Sequence, residues 1–80
     1  MKLFAVSYIN WNENELHTHF YHADDWFEAA MKMKQIKEMF EDDGEGNWMK
    51  FKDQSAAKKE AFNQDAMINV VEVPMHMVNV

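Results

Sequence analysis

The chain has 80 residues with eight lysines, no arginine, no cysteine and fourteen Asp plus Glu, for a formal charge of −6. That balance weighs against direct nucleic-acid binding, which draws on clustered cations and on arginine to read guanine, and against anionic membranes; it favours a protein partner with a basic surface. Without cysteine there is no disulfide framework and no thiolate chemistry, which fits a reducing, cytoplasmic compartment, and no apolar run is long enough to span a bilayer.

A chain of this size makes one domain, close to the lower limit at which a single core holds a fold unaided. Residues Lys2 to Trp11, rich in aromatic and β-branched types, precede the turn-forming Asn12-Glu13-Asn14. Glu15 to Ala23 then alternates again, so the two segments are expected to form a β-hairpin. Phe4, Val6 and Tyr8 share one side of the first strand; Leu3, Ala5, Ser7 and Ile9 share the other. In the second strand Leu16, Thr18 and Phe20 alternate with His17, His19 and Tyr21, and the face with Leu16 and Phe20 is expected to meet a helix.

That helix is expected over Asp24 to Phe40. Trp26, Ala29, Ala30, Met33, Ile36 and Phe40 recur at three- and four-residue steps and make one apolar stripe. Asp24 or Asp25 can cap its start, and Gly44 is available to end it in a left-handed turn. After an acidic loop, Glu41 to Asn47, a second helix is expected from Ser55 to Asn63, capped by Asp53 or Ser55, with Ala57, Ala61 and Phe62 on its apolar side. Met67 to Val80 closes as a strand that bends or runs along an edge at Pro74. The expected fold is α+β, ordered β-β-α-α-β: a small, mainly antiparallel three-stranded sheet with two helices on one face. A tail apolar on both sides predicts a homodimer joined through Val73, Met75, Met77, Val78 and Val80.

Little in the sequence carries chemistry. His17, His19 and His22 form H-x-H-x-x-H, in which the first two share one side of a strand and could hold zinc or copper with Glu15 or Asp24. Such an ion needs three or four converging ligands, so neither a metal nor any other cofactor is expected. Met75-His76-Met77 offers soft ligands, but alternation turns His76 away from both methionines, and methionine more commonly fills apolar gaps. Glu38, Glu41, Asp42, Asp43 and Glu45 crowd the C-terminal end of a helix, where they oppose its dipole. Trp48 follows them directly and could anchor a basic partner, although it and Trp11 could equally cap the small core. No nucleophile motif or phosphate loop is present. The reading that follows is a non-enzymatic, acidic, protein-binding modulator: an inhibitor or adaptor of the kind a phage or mobile element encodes, able to occupy a nucleic-acid-binding site of its target. A histidine-based metal-binding protein is the alternative, and a small enzyme the third.

Overall fold

The hairpin forms first in the chain and sets the register of everything after it. In the computed structural model, which describes residues 1–41 and 44–74, β1 (Lys2–Asn10) and β2 (Glu15–Ala23) pair antiparallel from Lys2↔Ala23 to Asn10↔Glu15. The turn between them ends on Asn14 at φ 55°, a left-handed conformation that asparagine tolerates. After the helical segments, β3 (Ala66–Glu72) returns antiparallel along the other side of β1, giving the strand order β2-β1-β3. The fold is α+β, with one antiparallel sheet carrying helices on one face.

The long apolar stripe is helical but bent into two pieces, α1 (Trp26–Met31) and α2 (Lys34–Met39). Asp25 caps α1 by accepting from the Glu28 N–H at 2.8 Å, and the Glu28 carboxylate accepts in turn from the Asp24 N–H at 3.2 Å. At the break, the N–H groups of Lys32 and Met33 donate back to the carbonyls of Ala29 and Ala30, tightening the last turn. Met33 is extended there (ψ 119°), and its carbonyl accepts from Lys37 to start α2. No glycine or proline marks this bend. The stripe survives it: Ala29, Ala30, Met33, Ile36 and Phe40 are all buried in the core. α2 ends at Phe40, and Gly44, also left-handed at φ 75°, lies farther on in the loop instead of closing the helix.

α3 (Gln54–Asn63) is capped by Asp53, whose carboxylate accepts from the Ala56 N–H at 2.9 Å. It buries Ala57 and Ala61, small side chains that let it lie close to the sheet. Phe62, expected beside them, turns out to solvent and packs on the Trp11 ring at 5.6 Å.

The second strand faces opposite to expectation. Tyr8 stands opposite His17, Val6 opposite His19 and Phe4 opposite Tyr21, so His17, His19 and Tyr21 share the helix-bearing face with the buried residues of β1. Leu16, Thr18 and Phe20 point the other way, and Leu16 and Phe20 are 69% and 64% exposed. The cause is register. β1 commits Phe4, Val6 and Tyr8 to the core, and the short turn then fixes the parity of β2 whatever its own hydrophobicity prefers. Along β2 only Ala23, beneath the start of α1, is buried.

Each sheet edge is capped at one residue. Val73 donates to the Leu3 carbonyl at 2.8 Å, so odd-numbered residues of β1 bond toward β3 and even-numbered ones toward β2. The backbone groups of Val70 and His22 therefore point outward, at opposite edges. The Gln54 carboxamide takes up both groups of Val70, donating to its carbonyl at 3.0 Å and accepting from its N–H at 2.8 Å. Lys32 Nζ donates to the His22 carbonyl at 2.7 Å. These caps blunt the strand-adding capacity that exposed edges normally carry. Replacing Gln54 with alanine is expected to cost about 1–2 kcal/mol and to speed hydrogen exchange at the Val70 amide selectively. Urea unfolding together with exchange would show it, and an unchanged Val70 rate would remove the edge-capping role.

The closing strand is described only as far as Pro74. Of the expected tail interface, Val73 is half-buried on the helix-free face, while Met75, Met77, Val78 and Val80 lie outside the described residues.

Candidate functional site

The hairpin register sets Asn10 opposite Glu15 and Tyr8 opposite His17, all on the helix-bearing face at the turn end of the sheet. Helical spacing puts Gln35, Glu38 and Met39 on one side of α2, and Gln64 follows at the C-cap of α3. Together Tyr8, Asn10, Glu15, Gln35, Glu38, Met39 and Gln64 line an open cleft of about 300 Å³. Its walls are fixed by short-range bonds. Asn10 donates to the Tyr8 hydroxyl at 3.1 Å, His17 Nε2 lies 3.2 Å from the Glu15 carboxylate while its ring stacks on Tyr8, and Gln64 donates to the Met39 carbonyl and to Glu60, each at 3.2 Å. Two acidic residues, three carboxamides and one phenol belong to this lining, and no lysine does. Such a lining suits an ammonium or guanidinium group.

Of the expected partner-binding residues, Glu38 lines this cleft. Glu41 makes an isolated antiparallel bridge with Trp48, and Met49 donates to the Phe40 carbonyl at 2.8 Å, which pinches the loop at its base. Gly44 and Gly46, both at positive φ, and the exposed Glu45 lie within that loop; Asp42 and Asp43 fall outside the described residues. Lys37 Nζ sits 4.6 Å above the Trp48 ring, a cation–π contact that holds a partly exposed indole. Successive helical positions stand about 100° apart, so the Lys37–Trp48 contact and the Glu38 cleft occupy adjoining flanks of α2.

The histidines do not converge. His17 and His19 share one face of β2, but His17 is engaged by Glu15 and Tyr8, His19 is exposed beside Tyr21, and His22 points to the opposite face. Among the described residues no three His, Asp or Glu side chains come together as a metal would require. Likewise no helix among them is long and apolar enough to cross a membrane.

Two features escape a reading of the sequence alone. Glu15, Asn10 and Gln64 join the cleft only through register and the α3 cap; the signal for the first two was the turn length, which decides which face of β2 follows Tyr8. The other is the helix-free sheet face. From the turn end it runs in rows: Leu16, Ile9 and Met67; then Thr18, Ser7 and Asn69; then Phe20, Ala5 and Val71; then His22, Leu3 and Val73. The chain matches no protein-family model, no characterised protein and no solved structure.

Proposed function

We propose that this chain is a non-enzymatic protein-binding module that takes a basic side chain of its partner into the cleft between β2 and α2. The observation carrying this reading is the presence of Glu15 and Glu38 in one polar, open lining without a lysine, in a chain of net charge −6. Trp48 on the next flank supplies an aromatic contact of the kind that anchors interfaces. The overall acidity adds long-range attraction to a cationic surface, including one that otherwise holds nucleic acid. In that role the protein acts as an inhibitor or adaptor, the type of small modulator that phages and mobile elements encode.

Titrating a lysine- and arginine-rich peptide into the protein by calorimetry tests this. Glu15→Gln and Glu38→Gln are each expected to weaken binding about 2- to 5-fold without lowering the melting temperature, with a reduced dependence on salt. Glu72→Gln, at the opposite end of the sheet where Glu72 faces Lys2 at 3.8 Å, makes the same charge change and is the control. Equal losses in all three variants would leave only net charge at work and dismiss the cleft.

A further inference from the structure

We propose that the helix-free face of the sheet is a self-association surface on which a second copy of this chain packs face to face. Its twelve residues include no Asp, Glu, Lys or Arg, although 28% of the chain is charged. Leu16, Phe20, Met67 and Val71 are each at least half exposed there. Ala5 and Ser7, the small residues of the central strand, lie between Phe20 and Val71 and between Thr18 and Asn69.

Three properties select a second copy over another occupant. A basic partner would be drawn to carboxylates, and this face has none; two like-charged copies, by contrast, can meet here while their carboxylates stay on the outer, helix-bearing sides. The row crossing the middle of the face is Thr18, Ser7 and Asn69, with the two hydroxyls 3.4 Å apart. Each of these groups both donates and accepts, so a two-fold mate can satisfy it with its own equivalent. Area is the third. Three strands about 4.8 Å apart, each rising about 3.3 Å per residue over about eight residues, give this face roughly 400 Å² a side, and about 800 Å² for the pair suits a weak, reversible pairing of two small copies, not a permanent dimer. Each edge, meanwhile, carries a side-chain cap at one residue, Val70 on β3 by Gln54 and His22 on β2 by Lys32. The two copies then form a sandwich with sheets about 10 Å apart.

Sedimentation equilibrium on the full chain tests the idea. The expected result is a monomer–dimer equilibrium in the micromolar range, weakened about thirty-fold or more by Phe20→Asp and independently by Met67→Asp, with circular dichroism unchanged in both. Val78→Asp, in the tail that the sequence nominates as the interface, is expected to leave the dimer intact. A monomer throughout the micromolar range overturns the proposal. So does a dimer indifferent to Phe20→Asp and Met67→Asp, or one lost on Val78→Asp.

Discussion

Phe40→Ala is expected to lower the free energy of unfolding by about 3–5 kcal/mol, the sum of lost apolar transfer and the cavity left behind. Phe40 is fully buried, its ring lies 4.7 Å from that of Phe51, and its carbonyl receives the Met49 N–H that closes the acidic loop. Removing the ring therefore loosens the end of α2, the segment leading to α3, and the core between them. A domain this small has only a few such side chains to rely on, and a loss of that size takes much of its stability. The urea midpoint should drop sharply. An unchanged midpoint would mean that this end of the core is not where the fold is held.

The second large effect comes from one substitution made on opposite faces of the sheet. Val6→Asp places a carboxyl in the fully buried centre of β1, between Val70 and His19, with no partner for its hydrogen bonds. The expected cost is several kcal/mol, enough to leave the chain largely unfolded. Phe20→Asp, on the helix-free face, should shift the stability of the monomer by no more than about 1 kcal/mol. Thermal denaturation of the two variants at low concentration compares them directly. Comparable destabilisation would contradict the assignment of faces and return Leu16 and Phe20 to the core.

This contrast also marks how far the sequence could be read. The apolar stripe from Trp26 to Phe40 has a strong helical period, and it identifies Ala29, Ala30, Met33, Ile36 and Phe40 as core in agreement with their burial. It could not disclose the bend at Met33, because nothing in the local chemistry differs there. For β2 the pattern misled: Leu16 and Phe20 are the more apolar set, yet parity inherited through the turn overrides composition. Small residues gave the weakest signal and did much of the positioning, since Ala23, Ala57 and Ala61 are fully buried where helices approach the sheet. Of the candidate site, Glu38 and Trp48 were legible as an acidic and aromatic cluster. Glu15 and Gln64 were not, because they reach the cleft through pairing and capping between segments distant in sequence.

The strand order has a kinetic consequence. β1 is the central strand, yet one of its two neighbours, β3, lies nearly the whole length of the described chain away. The β1–β2 hairpin can close within microseconds, but alone it has no covered face and is marginal. Docking of β3 requires a long loop to close before its contacts repay the lost entropy, so the rate-limiting step should be the arrival of residues 66–72 beside β1. During ribosomal synthesis the hairpin must wait for that segment with Val6 and Tyr8 uncovered. That interval, more than any weakness of the finished fold, is when the chain is most open to capture by a chaperone or by another nascent copy of itself.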